Sequence, residues 1–395
     1  MKKSLLAMAV LGAFAGAASA QSSITIYGVI DMSINNIKNT NAGDRWTMSG
    51  AGSQLSNRLG FRGQEDLGGG NFAGFNLETS VFPDNGQGGG YNTQPAPSTV
   101  TPNANTSSTP QNPAQLFDRI ATVTLGSKSM GKISLGRDYT PAFGVRATYE
   151  AFNYVGIANY GTLFSSTRGG HPVAAAFGPS TTAPNTNVRA NNSVAYYSPN
   201  IGGFSASLMG ALGEGTTATG TGANKMHSGS VSYGAGPLYA SAGYGVTKTT
   251  SVVGQDFKNW VLGASYNFGV VKVMTMLDQE KFINMKQRVF SLGVTAPVGP
   301  SGLVKAQYAR SNVSGTTTTA VNVDNNDVNL FGIGYVHSLS KRTSLYTTVA
   351  QMKNKTGGTW LAVGGSLTGF PGVGTTTGAG GGKSTGYEIG VSHRF

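Results

Sequence analysis

The sequence predicts an all-β chain that crosses a membrane as a closed barrel of sixteen antiparallel strands, and three observations predict it. Bulky residues recur at every second position in segments spread from end to end, the mark of strands with two unlike faces. Glycine supplies 59 of 395 residues and charged residues only 11%, poor material for helices but suited to strands and turns. Short, turn-rich connections alternate with long ones, as they must when every second connection of an up-and-down barrel lies at the same rim.

Residues 1–20 stand outside this plan. Lys2 and Lys3, the apolar run "LLAMAVLGAFAGAA" and Ala18-Ser19-Ala20 make the charged start, short greasy centre and A-x-A cleavage site of a secretory signal. The run falls short of the ~20 residues that a spanning helix needs. No later apolar stretch comes closer, so strands must do the crossing. The barrel unit is then 21–395, with Gln21 as its first residue. Cysteine is absent, which removes both disulfides and thiolate metal sites.

The strands fall at 23–36, 54–65, 71–82, 116–126, 131–139, 191–198, 203–212, 226–234, 238–247, 256–268, 270–280, 287–296, 302–311, 327–338, 342–352 and 383–395. Tight connections such as "DLGGG", "SPNIGG", "GAGP", "APVGPSG" and "SLSKR" carry the residues that turns demand. The long connections are 83–115, 140–190, 312–326 and 353–382. The stretch "NTQPAPSTVTPNANTSSTPQNP" lies in the first of these and fits a surface loop better than an interdomain linker.

Facing separates a membrane wall from a soluble sheet. In "NWVLGASYNFG", Trp260, Leu262, Ala264, Tyr266 and Phe268 share one side, with aromatic rings at both ends. Rings belong at the two interfaces of a bilayer, whereas a soluble core places its largest residues centrally. The chain ends on the same pattern: in "GYEIGVSHRF", Tyr387, Ile389, Val391, His393 and Phe395 alternate with Gly386, Glu388, Gly390, Ser392 and Arg394.

The same parity sorts the charges. Leu59 and Phe61 turn outward, so Arg58 and Arg62 face the lumen; Phe75 and Leu77 turn outward, so Glu78 faces in. A midplane arginine turned to lipid would cost roughly 2–4 kcal/mol. Arg119 shares a side with the outward Val123 and Leu125, so a bulge or a rim position must intervene. Arg137 shares a side with the outward Ile133 and Leu135, which calls for a rim position or cover by another subunit. Nearby, Asp138, Arg146 and Glu150 either anchor the long connection after the fifth strand or are solvated loop charges.

Formal net charge is +12, yet there is no Lys/Arg-rich run or basic helix. Scattered arginines argue against nucleic acid as a partner and for charge spread around a wall, facing small anions. "GAGGGKST" imitates a phosphate loop, but Thr377 stands where the first glycine belongs and a strand follows where a helix should. His171, His227, His337 and His393 fall in loops or near strand ends without ligand spacing, so neither a cofactor, a metal nor an enzyme is expected.

Taken together, "SSITIYGVIDMSI", "SNRLGFRGQEDLGGG", "FAGFNLE", "ISLGRDYTP", "NNSVAYYSPNIGGF", "LGASYNFGV", "GYVHSLSKRTSLY" and the terminal "GYEIGVSHRF" make the chain resemble the trimeric porins of Gram-negative bacteria, the beta-proteobacterial general type above all. The resemblance covers essentially the whole mature chain. It implies export by the Sec route, a homotrimer in the outer membrane among lipid and lipopolysaccharide, and passive diffusion of small hydrophilic solutes. It implies that the third extracellular loop, 140–190, folds into the lumen, which suits so long a stretch without strands. It implies a constriction set of Arg58, Glu78, Arg119 and Arg189, to which facing adds Arg62, and hence a preference for anions. It implies that Tyr387 and Phe395 on the last strand are read by the barrel assembly machinery. Two other classes stay open at this stage: a surface-exposed structural or adhesive barrel, and a barrel hydrolase. The arginines, too, have a plainer reading as ion pairs that stiffen the wall.

Overall fold

The two ends of the chain close the ring. In the computed structural model, which describes residues 23–40, 43–88, 116–164, 170–177, 186–213, 225–249, 255–355, 363 and 381–395, strand β1 (Ser23–Asn39) pairs antiparallel with the last strand, β18 (Gly382–Arg394). Beyond that ladder Gly28 and Phe395 exchange backbone hydrogen bonds, each 3.1 Å long. Only glycine fits there: a Cβ on Gly28 would lie 2.3 Å from the Phe395 ring and 2.7 Å from the Arg58 carbonyl oxygen.

Between them run β3 (Arg58–Gly68), β4 (Asn71–Phe82), β6 (Ile120–Ser127), β7 (Gly131–Tyr139), β8 (Arg189–Tyr197), β9 (Phe204–Ala211) and β10 (Met226–Ala235). They are followed by β11 (Leu238–Lys248), β12 (Asp256–Asn267), β13 (Lys272–Phe282), β14 (Met285–Val298), β15 (Gly302–Ser314), β16 (Val328–Ser338) and β17 (Thr343–Asn354). Each is antiparallel to its neighbours, and the ring is a closed sixteen-stranded barrel. Two short strands, β2 (Gly43–Ser49) and β5 (Gln87–Gly88), add to it at the long-connection rim. The predicted signal segment, 1–20, lies outside the described residues, as do 89–115 and most of 356–380.

The second wall strand departs from expectation. Predicted over 54–65, it begins at Arg58, and β2 continues its line on the far side of an interruption at 50–57. The cause is Asp31 on β1, whose carboxylate accepts the backbone N–H groups of Ser53, Gln54 and Leu55 at 3.0–3.1 Å and the Tyr346 hydroxyl. Amides spent on a buried carboxylate are not available to a ladder. The strand predicted over 116–126 likewise begins late, at Ile120, and the one predicted over 191–198 begins early, at Arg189.

The connection from β7 to β8 folds into the lumen. It opens with the helix Pro141–Thr148, whose Thr140 N-cap accepts from the Phe143 amide, continues through the short 3-10 turn Tyr160–Phe164 and ends with the helix Pro172–Phe177. Its Val145, Tyr149, Phe152, Ile157 and Leu163 are buried against inward-facing Val261, Met276, Val289, Leu330 and Met352 of the far wall. Those strands are thus apolar on both faces, outward for lipid and inward for the loop. Facing agrees with the alternation read from sequence: Leu262, Tyr266, Tyr387, Ile389 and Val391 are exposed, whereas Val261 and Glu388 are buried.

Candidate functional site

On the wall opposite the loop's main seat, a chain of polar contacts links five strands, β1, β3, β4, β7 and β8. Register pairs Gly60 with Glu78, and the missing side chain at Gly60 leaves room for the Tyr27 ring. Tyr27 donates its hydroxyl to Glu78 Oε2 at 3.1 Å and to Asn76 Oδ1 at 2.9 Å. Arg58 approaches the same Oε2 at 3.6 Å, and Arg119 donates Nε to Oε1 at 2.5 Å. Arg119 also donates to the Tyr139 hydroxyl at 2.8 Å, and Arg189 donates to that oxygen at 2.5 Å with its guanidinium 4.2 Å over the Tyr139 ring. Arg62 lies 5.2 Å over the Tyr27 ring. All five residues expected at the constriction therefore lie along one run of contacts.

Local structure explains the two that parity misplaced. Arg119 immediately precedes β6, so strand alternation does not bind its side chain. Asp118 pins that turn by accepting the Ser80 N–H and hydroxyl, both at 2.7 Å, and Arg119 swings inward beside Glu78. Arg137, expected at a rim position or under another subunit, finds partners within its own chain. The ladder between β7 and β8 shifts register between Gly136 and Asp138, and Gly136 adopts a φ of 128° that other residues avoid. Arg137 is thereby partly buried, donating Nε to the Asp118 carbonyl at 2.6 Å and a second N–H to Asn191 of its own chain.

The loop is anchored by charge as well as by apolar packing. Arg146 donates to Asp278 at 2.7 Å and to Glu280 at 3.0 Å, with all three side chains shut off from water. Burial alone would lower its pKa, but the two carboxylates outweigh that and hold it above the usual arginine value. Asn187, where the loop returns, donates to Glu280 at 2.7 Å. Glu150 accepts the Tyr154 and Tyr160 amides and the Gln307 side chain, while burial pushes its carboxyl above the ordinary range. Asp138 stays on the wall and accepts the Tyr197 hydroxyl at 3.0 Å.

These contacts sort the charges. Asp31, Glu150, Asp278, Glu280 and Glu388 are all at most 5% exposed, sealed under the loop or within the 50–57 interruption. Arg62 is exposed, and the Arg58 side chain keeps 27% of its surface open. Of the charged side chains in the run, Arg58 and Arg62 keep the most contact with water.

Sequence reasoning missed Tyr27 and Tyr139, which bridge the arginines, and Asp278 and Glu280, which receive the loop. The acids had a legible signal: "LDQEK" places them two apart on the lumen face of a strand whose other face meets lipid.

The model of the Gram-negative porin family matches residues 7–357. The chain belongs to that family. It is 37% identical over its full length to the outer membrane porin protein 32 of Delftia acidovorans, which it also spans completely. A Bordetella pertussis outer membrane porin is 30% identical over 90% of this chain and 95% of its own. Among solved structures, an anion-selective porin from Comamonas acidovorans superposes with a TM-score of 0.71 at 33% identity, covering 95% of this chain and all of that one. OmpF of Salmonella typhi shares the fold alone, at a TM-score of 0.61 and 11% identity. This porin is an outer-membrane barrel.

Proposed function

We propose that this porin is a general diffusion channel in which Arg58, Arg62, Glu78, Arg119 and Arg189 form the constriction and favour anions. The observation that carries the reading is the sorting of charge: three arginines converge on one carboxylate and one tyrosine, while the acids of the loop and facing wall are buried. In a slot of effective dielectric about 20, one guanidinium attracts an anion 6 Å away by roughly 3 kcal/mol before salt screens it. Glu78 offsets part of that, and a passing ion must still leave, so the arrangement gives a preference without a tight site. The selectivity named for the Comamonas porin agrees in sign.

Around this channel the working assembly is a homotrimer, exported with loss of residues 1–20 and inserted through the assembly signal at Tyr387 and Phe395. Lipopolysaccharide and phospholipid bathe its outer face. Planar-bilayer recording of the refolded mature chain tests the reading. Stepwise currents in groups of three and a reversal potential of anionic sign are expected, and Arg58→Ala should shrink that potential. Cation preference in the unaltered protein would overturn the account of the constriction.

A further inference from the structure

Resting on the constriction proposed above, we infer that the channel favours aromatic carboxylates over aliphatic ones of the same charge, because its arginines run directly into a ledge of aromatic rings. The joint is Tyr139, the last residue of β7. Arg189 lies 4.2 Å over its ring, and its hydroxyl accepts from both Arg119 and Arg189. The Phe143 ring of the inward loop stacks on Tyr139 with centroids 5.2 Å apart and planes 9° from parallel. Tyr154 meets Phe143 edge-on at 5.0 Å, and Tyr160 meets Tyr154 edge-on at 5.8 Å. A second guanidinium over a ring, Arg62 over Tyr27, stands on the same wall.

Packing alone does not account for this ledge. Phe143 and Tyr160 are buried and fill the loop, but Tyr139 and Tyr154 are only half-buried, and the loop that carries Tyr154 lies in the lumen. Tyr154 is held there against its backbone preference: it and Asn153 are left-handed, with φ of 62° and 59°, a conformation that bulky residues avoid. The Tyr154 amide, donating to Glu150 at 2.8 Å, and the Asn153 side chain, donating to the Gln54 carbonyl at 2.9 Å, pin that turn. Gly161 clears the space, since a Cβ there would lie 2.6 Å from the Tyr154 ring. Strain of this kind concentrates where a ligand is held.

A small hydrated anion gains nothing from such a surface. An arenecarboxylate gains twice: the arginines draw its carboxylate, while its ring packs edge-on or offset against Tyr154 and Tyr139 or lies over a guanidinium plane. An alkyl chain of equal charge lacks the ring quadrupole that these geometries use. Contacts half open to water lower the barrier to entry without making a trap.

The test is bi-ionic reversal potential in planar bilayers, with the refolded mature chain between sodium chloride and the sodium salt of benzoate, cyclohexanecarboxylate or hexanoate at neutral pH. Benzoate should be roughly threefold more permeant than either aliphatic anion. Hexanoate, thinner than benzoate, removes slot width as the cause. Tyr154→Leu should abolish the difference and Tyr154→Phe should keep it. Arg189→Lys, which keeps the charge and loses the plane, should shrink it. Each ratio compares anions within one protein, so a general change of pore width cancels. Benzoate no more permeant than hexanoate in the unaltered chain, or a preference undiminished by Tyr154→Leu or by Arg189→Lys, would overturn the assignment. A reversal potential of cationic sign in a potassium chloride gradient would instead strike the constriction reading on which it rests.

Discussion

Arg146 of the inward loop and Asp278 of the facing wall meet at 2.7 Å, and water reaches neither side chain. Removing one partner of such a pair leaves a bare buried charge, at a cost of about 3–5 kcal/mol. Arg146→Ala, which strands both Asp278 and Glu280, should therefore free the loop from the wall. Limited proteolysis of the reconstituted protein should then cut within 140–188, and single-channel traces should flicker. Replacing Asp278 and Glu280 by Leu and Gln in the same background should restore most of the protection.

Arg58 and Arg119 share Glu78 but differ in access, with 27% and 9% of their side-chain surface open. Arg58→Ala is expected to reduce the reversal potential more. Arg119→Ala should reduce thermal stability more, because it removes the 2.5 Å partner of a buried carboxylate and a donor to Tyr139. Paired reversal-potential and melting measurements check the order.

His171, which leads into the helix Pro172–Phe177, is fully buried, and burial lowers its pKa to about 4. An unfolded histidine takes up its proton near pH 6.5. Since the native pKa is the lower one, the contribution to stability is complete above about pH 6.5 and is lost as pH falls toward about 4, by about 3 kcal/mol at most. Melting temperature should drop over that window, and His171→Gln should flatten the drop. An unchanged slope in the variant would count against it.

Gly28→Val should block closure of the ring, since the new carbons would strike both the Phe395 ring and the Arg58 carbonyl oxygen. Phe395→Ala in that background should not rescue it, because the carbonyl contact remains. Heat-modifiable migration on gels after refolding reads the outcome.

The ring was legible in the sequence because lipid on one side and water on the other enforce period two, as along Tyr387, Glu388, Ile389 and Gly390. Alternation gave correct faces for Arg58, Arg62 and Glu78. It failed where the backbone leaves the ladder, which parity cannot see: Arg119 sits just outside a strand end, Arg137 follows a shift at Gly136, and 50–57 wraps the Asp31 carboxylate. The carry-over of Arg189 came from resemblance. Its tie to Arg119 through the Tyr139 hydroxyl required coordinates.

The oily patch beneath the loop, Val261, Met276, Val289, Leu330 and Met352, also bears on engineering. Excising the loop to obtain a wider nanopore would leave a grease-lined stripe beside the water column. Such a stripe would capture detergent or stray chain segments and clog the very opening that the excision was meant to create.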